Sequence, residues 1–434
     1  MKNITLIILL SLALSLGATA QTKPAAGAAA APASDLRQET FDVVWRTVKE
    51  KHFDPTLGGV DWDRVRQLYE PRARAVKSDG ELYVLLQQML GELGQSHFSI
   101  IPPEAIIHSE SKEPEGGGIG LDIRFIDNQA VITRVEPGSR AASAGLRPGF
   151  IIKKVDDTTV EQVIERFSKS KMSPALARLY MLRTVLSRIN GKPETPVQLS
   201  YLDERDGLRQ ATITRERLKG EMSPAFGNFM PQYTEFEAKR LDSRIGYIRF
   251  NIFVMMLMDR IRAAIREMND APGIIIDLRG NPGGVGAMST GIAGMLETKQ
   301  VSLGVMKMRA APLSFIAFPQ QGAYTGPVVI LIDGASGSTS EVFAAGMQEL
   351  GRAVVVGERS MGAALPSVFT KLPTGALLQY AIADFKTPKG VLIEGLGVMP
   401  DREVKLTRRT LLEGRDSQLE AAIDQIKNAR GDKR

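Results

Sequence analysis

A multidomain α/β (α+β) chain is predicted by three changes of pattern along its 434 residues. Apolar residues recur at helical spacing from Leu36 to about Gly94, short alternating strands punctuated by Gly and Pro fill residues 113–218, and strands alternate with helices from about Lys219. That length exceeds what one hydrophobic core usually organises. The expected division is therefore a helical domain at 35–112, a small β-rich domain at 113–218, an α/β core at 219–408, and a C-terminal helix and tail at 409–434.

Two segments precede these domains. Lys2, the apolar run from Ile4 to Leu16 and Ala18-Thr19-Ala20 before Gln21 have the layout of a secretory signal peptide over residues 1–20. The run is short for a membrane span, which needs roughly 20 residues, so no stable membrane insertion is expected once the signal is removed. Residues 21–34 are rich in Ala, Pro and Gly and read as a linker. The chain has no cysteine, which excludes a disulfide framework and a thiol nucleophile. Its charge of +6 comes from 55 basic and 49 acidic residues that are scattered rather than blocked, which argues against a nucleic-acid surface.

In the first domain Phe41, Val44, Trp45 and Val48, then Leu82, Leu85, Leu86, Met89 and Leu93, mark buried helix faces. In the second, Gly118-Ile119-Gly120-Leu121 opens a strand, Asp122 to Phe125, which pairs with Ala130 to Val135. A short helix, Ala141 to Ala144, and the strand Ile151 to Val155 follow, and residues 168–192 read as extra helix. In the third, the strands Ile245 to Phe250 and Gly273 to Leu278 flank a helix from about Val254 to Met268, whose methionines are read as core filling. Val328 to Ile332, a helix Ser340 to Leu350 and Ala353 to Val356 continue the alternation that predicts an α/β layer. Residues 304–326 are read as loops.

Chemistry concentrates where the strand Val328 to Ile332 ends in Asp333-Gly334-Ala335-Ser336-Gly337-Ser338-Thr339-Ser340-Glu341. A serine at a strand-to-helix turn lies near helix N-terminal N–H groups that favour developing negative charge. The same position also suits a plain helix cap, so this segment alone leaves both roles open. Asp277-Leu278-Arg279-Gly280-Asn281-Pro282-Gly283-Gly284 follows a second strand, with glycines that permit close backbone approach.

Together with "GASGSTSE", "VVVGERSMG", "TPKGVLIEGLGVMPD", "KHFDPTLGGVDWDRVRQLYEPRA" and "LGELGQSHFSI", these segments resemble the carboxy-terminal processing and tricorn-core serine peptidases, the tricorn-like branch in particular. "GIGL" and "PGSRAASAGLRPGFIIKKVDD" resemble a PDZ domain. The likeness runs from about Leu36 to Asp401 and implies a crotonase-like α/β catalytic core. Carried over, it implies Ser338 as nucleophile. The lysine that serves as base in the processing branch is replaced by Ala363, whereas the tricorn branch uses a serine–histidine pair matched by Ser96-His97. His97 is then the implied base; His52 is read as a packing residue and His108 as a loop residue. The orienting glutamate falls on Glu394, with Gly395 where the pattern has asparagine. Backbone N–H groups of Gly283 or Gly284 and of Thr339 are the implied oxyanion donors, and Gly118, Ile119, Gly120 and Leu121 form the implied peptide-holding loop.

The resemblance thus implies an exported serine-type endopeptidase of the bacterial periplasm or extracellular space, acting on protein or peptide substrates near their C-termini, with no cofactor. A peptide-binding scaffold of the same fold without catalysis is the alternative. A metalloenzyme is disfavoured by only three histidines, at 52, 97 and 108, and no H-E-x-x-H motif. Substrate identity and oligomeric state are not legible.

Overall fold

The computed structural model describes residues 33–105, 116–169, 174–227 and 229–431. The expected signal peptide, most of the linker and His108 lie outside the described residues. Among the described residues no helix is long and apolar enough to cross a membrane.

Three helices open the chain: α1 (Ala33–Lys51), α2 (Trp62–Ala75) and α3 (Asp79–Gly91). Asp61 and Ser78 cap α2 and α3 by accepting from the N–H groups of Arg64 and Glu81, donors the first helical turn cannot otherwise satisfy. Phe41, Val44, Val48, Leu82, Leu86 and Met89 are fully buried between the helices. The expected packing role of His52 is filled in full: it is buried, stacks on Phe53 and Phe98, and bonds Gln95 Oε1 at 2.8 Å. A short strand, β1 (Ser99–Ile101), leaves this layer.

The β-rich module contains β2 (Leu121–Ile126), β3 (Gln129–Val135), β4 (Ile151–Val155), helices α4 (Val160–Ser168) and α5 (Pro174–Ile189), then β5 (Pro196–Leu202) and β6 (Leu208–Thr214). Its strands run β2-β3-β4-β5-β6, all antiparallel. The α5 helix is the extra helix anticipated at 168–192, and its residues Ala177, Met181, Leu182, Val185 and Ile189 complete the module's own core.

The core follows with β7 (Phe236–Arg240), β8 (Gly246–Phe250), α6 (Met258–Glu267), β9 (Ile274–Asp277), α7 (Ala287–Gly294), β10 (Val301–Met308), β11 (Pro312–Ala317), β12 (Val328–Ile332), α8 (Thr339–Glu349) and β13 (Val354–Gly357). Beyond these lie β14 (Ser367–Lys371), β15 (Leu377–Ala381), β16 (Ala383–Lys386), β17 (Arg402–Glu403), α9 (Arg408–Leu412) and α10 (Ser417–Gly431). The central sheet has the order β7-β8-β9-β12-β13-β17, parallel except for its first pair. One face packs on α6, α7 and α8, and the other on α10 through Ala421, Ala422 and Ile426. Coverage on both faces explains why every residue of β9 and β12 is buried.

Two expectations are corrected. Residues 304–326 are not simply loops, because β10 and β11 form an antiparallel hairpin there with a bulge between Ser302 and Val305. The methionine helix begins as a 3₁₀ turn at Met255–Leu257, and Met255 is 43% exposed, so it does not fill the core as Met256 and Met258 help to do.

The helical layer and the core are not independent in space. Strand β1 pairs with β15 through Ser99–Gln379, and Leu365, Leu372, Ala376, Leu378 and Ala381 pack among the three helices. The β-rich module is tied to the core by Arg124 to Asp333 at 2.6 Å and Arg249 to Asp122 at 2.8 Å. It is also strapped by α9, whose Arg408 donates to Gly149 O and Asp203 O.

Candidate active site

Ser338 stands between β12 and α8 with φ 52° and ψ −118°, backbone angles that side chains rarely tolerate. Two acceptors hold it there: its N–H is shared between Ala363 O at 2.9 Å and Glu341 Oε2 at 3.0 Å. The turn before it is fixed by Asp333, whose Oδ1 accepts from the N–H groups of Gly280 and Ala335 at 2.9 Å each. Gly283, at φ 102°, approaches so closely that an added Cβ would lie 2.6 Å from Ser338 Cβ. Only glycine fits at that contact.

Glu341 is wholly buried one turn into α8. Besides the Ser338 N–H it accepts from Ser360 Oγ at 2.5 Å, Gly362 N at 2.6 Å and Ala363 N at 3.0 Å. Burial pushes its carboxyl up to about 7, against these donors, which favour the charged form. The effect is to lock the segment 360–363 against the Ser338 turn. Ala363, where the processing branch carries lysine, therefore lies directly beside Ser338 and supplies only a methyl side chain. Lys371 and Lys386 are exposed and do not line the cleft.

His97 arrives from the helical layer, two residues before β1, and also has a positive φ of 60°. Its position is fixed by a long-range bridge. Glu394 accepts from Ser96 N at 2.8 Å, Ser96 Oγ at 2.9 Å and Ala364 N at 3.0 Å. Burial raises the Glu394 pKa while the donors oppose that shift. Ser96 Oγ also lies 2.7 Å from His97 Nδ1. A serine hydroxyl has one proton, and a carboxylate can only accept it, so the oxygen must accept the Nδ1 proton in return. Nε2 is left as the ring's unprotonated nitrogen. Desolvation, helped by the charge of Arg183, holds the imidazole down to about 4 and keeps it neutral.

Ser338, His97, Ser96, Glu394, Gly283, Gly284 and Thr339 all line one cleft of about 1290 Å³. In the structure no hydrogen bond joins Ser338 Oγ to the His97 ring, whose Nδ1 is engaged by Ser96 Oγ. Gly283 meets a different arrangement from the one expected of an oxyanion donor. Its N–H is engaged by Asn281 Oδ1 at 2.9 Å, so of the anticipated backbone donors Gly284 and Thr339 remain uncommitted. Thr339 is the first residue of α8, where an N–H has no acceptor within its own helix. Gly118, Ile119, Gly120 and Leu121 lie outside this cleft, at the start of the module, with Ile119 O and Gly120 O accepting from Ala141 N and Glu136 N.

Sequence reasoning missed Ser360 and the structural role of Glu341. A glutamate three residues into a helix whose first turns are otherwise small and apolar was the available signal for Glu341. Nothing local marked Ser360 as a partner of Glu341, or Arg183 from the module's helix α5 as a neighbour of the cleft. Among the described residues no group of acidic, histidine or cysteine side chains forms a metal site.

Residues 244–404 match the model of peptidase family S41, and residues 34–91 match the tricorn protease C1 domain. A carboxyl-terminal-processing protease of Synechocystis sp. is 26% identical over 389 residues, covering 88% of this chain and 84% of the relative. A putative tricorn protease homolog of Streptomyces coelicolor is also 26% identical, over 90% of this chain but only 32% of its own length. Among solved structures, a photosystem II D1 C-terminal processing protease superposes with a TM-score of 0.58 at 22% identity, covering 88% of this chain and 98% of that one. Mature CPAF superposes with a TM-score of 0.64 at 14% identity over 92% and 98%. With the S41 match lying over the strands and helix that carry Ser338 and the C1 match over the helices that precede His97, the chain carries a peptidase family S41 domain and is a serine-type peptidase.

Proposed function

We propose that this protein is an exported endopeptidase that cleaves near the C-termini of unfolded or exposed protein segments, with Ser338 as nucleophile and His97 as its base. The observation that carries the reading is the chain of bonds from Glu394 through Ser96 to His97 Nδ1, which leaves Nε2 free to accept a proton in the cleft that also holds Ser338. As Ser338 Oγ bonds to the substrate carbonyl carbon, its proton passes to Nε2 and the carbonyl electrons move onto oxygen. Thr339 and Gly284 N–H groups receive that oxyanion, each worth about 3 to 4 kcal/mol in a water-poor site. Collapse breaks the C–N bond and His97 returns the proton to the leaving amine. Water, deprotonated by the same ring, then releases the acyl group.

Glu394 acts on the ring through Ser96, holding its tautomer without touching it. The module at 113–218 is read as PDZ-like, with Gly118, Ile119, Gly120 and Leu121 at the end of a peptide groove, and the signal-like segment at 1–20 supports export to a bacterial periplasm or the medium. A fluorophosphonate probe tests the chemistry: labelling of the wild type is expected, with loss in Ser338→Ala and strong reduction in His97→Ala. A wild type that resists the probe from acid to alkaline pH would leave the peptide-binding scaffold as the better reading.

A further inference from the structure

Helix α5 has two working faces. Ala177, Met181, Val185 and Ile189 pack into the β-rich module, while Leu176, Leu179, Tyr180 and Arg183, spaced as one helical stripe, line the cleft that holds Ser338 and His97. An inserted helix that merely enlarged the module would not need a second stripe aimed at another domain's site.

The charge along this wall is unbalanced. Among the described residues lining the cleft the carboxylates are Glu92 and Glu394, and both are engaged: Glu92 accepts from Tyr69 Oη at 2.8 Å and Glu394 holds Ser96 and Ala364. The cations on the α4–α5 side are Arg166, Lys169 and Arg183. Lys169 pairs with Glu165 at 2.7 Å and Arg166 lies over the Phe167 ring. Arg183 is exposed to the cleft and makes no ion pair with any described carboxylate. It lines the same cleft as His97 and Ser338, and its charge helps to lower the His97 pKa.

We infer that Arg183 is a specificity-determining residue that binds a carboxylate of the substrate close to the scissile bond, so that the preferred peptides carry a negative charge there. The inference rests on the serine-peptidase reading of the same cleft and names the substrate feature it selects. Guanidinium suits the task because it binds carboxylates through two parallel hydrogen bonds. A second consequence follows from the same contact. A bound carboxylate neutralises the cation that helps to weaken the imidazole as a base, so His97 becomes more basic when an acidic substrate is in place.

Two sources of the carboxylate, a free C-terminus and an acidic side chain, are separated by three short labelled peptides of one apolar sequence: a free acid, its amide, and an amide with one internal glutamate. Binding is measured by fluorescence anisotropy on the Ser338→Ala protein, so the result does not depend on turnover. One of the two charged peptides is expected to bind roughly tenfold or more tightly than the neutral amide. Arg183→Glu is expected to erase or invert that preference, and Arg183→Lys to keep part of it. In the catalytically intact protein the same substitutions should change the ratio of kcat/KM between charged and neutral peptides. Equal binding of all three peptides, or an unchanged ratio in Arg183→Glu, overturns the inference even if the protein is an active peptidase. Failure of the wild type to label, with the binding preference intact, overturns the catalytic reading instead.

Discussion

The two halves of the candidate site are built in opposite ways. The Ser338 half is assembled from one strand, one turn and one helix of the core, with the segment 360–363 held against it by Glu341 and with Ala363 O accepting from Ser338 N. The His97 half depends on Glu394, 298 residues away from Ser96, and on the pairing of β1 with β15. Both residues sit at positive φ. Strain of this kind persists only where the surroundings over-determine the backbone, and the two halves recruit those surroundings at very different sequence separations. The Ser338 turn is thus a property of the core, whereas the place of His97 is a property of how the helical layer docks.

That contrast can be broken at its strongest point by Glu341→Ala. The substitution leaves the Gly362 and Ala363 N–H groups and the Ser360 hydroxyl without their buried acceptor, a loss on the order of 3 to 5 kcal/mol. Denaturant unfolding should register it, and probe labelling of Ser338 should be lost with it. Retention of both would mean that the core does not need the buried carboxylate to shape the turn.

Glu394→Gln is expected to do less to the fold and to act on the base. The amide can keep one bond to Ser96 but no longer forces its hydroxyl to accept the Nδ1 proton. A fall in kcat of roughly 10²-fold with little change in KM is expected, smaller than for loss of a group that contacts the ring itself. Ser96→Ala, which removes the hydroxyl that contacts the ring, should lower kcat further, and a KM effect in place of a kcat effect would make the bridge a docking device only.

The smallest effect expected is in the pH profile. Burial and the Arg183 charge hold the His97 imidazole down to about 4, below its ordinary 6.5. With that value kcat/KM changes less than about twofold between pH 7 and pH 5, because the ring stays neutral. An acid limb centred near 6.5 would instead indicate that the helical layer opens and wets the ring. Stability carries the same sign, since a pKa lower in the folded state means that unfolding takes up a proton. The His97 contribution is present above 6.5 and lost as pH falls through 4. Glu341, pushed up to about 7 by burial, works in reverse: its contribution is present below 4.5 and lost as pH rises through 7. For this reason kcat/KM is the sharper readout.

Much of the arrangement was readable from local pattern. The strand Val328 to Ile332, the turn to Ser338 and the amphipathic helix after it are encoded within about twenty consecutive residues, and periodicity and turn chemistry act over that range. The hairpin at Val301–Ala317 was not readable, because its bulge and its pairing with Ala383–Lys386 depend on a partner far along the chain. The choice between Gly283 and Gly284 as donor was not readable for a similar reason. A glycine loop signals that backbone comes close, but which N–H remains free depends on where the Asn281 side chain turns.

By itself the sequence determined the kinds of element, their order and the identity of the groups able to do chemistry, because helix and strand periods and capping residues are short-range properties. Tertiary structure alone decided that Ser96 would meet Glu394, that Ala363 would face the Ser338 turn, and that a helix from the β-rich module would bring Arg183 to the cleft. These contacts join residues separated by tens to hundreds of positions. Such pairings are selected by the burial of whole layers against one another, which no local window of sequence contains.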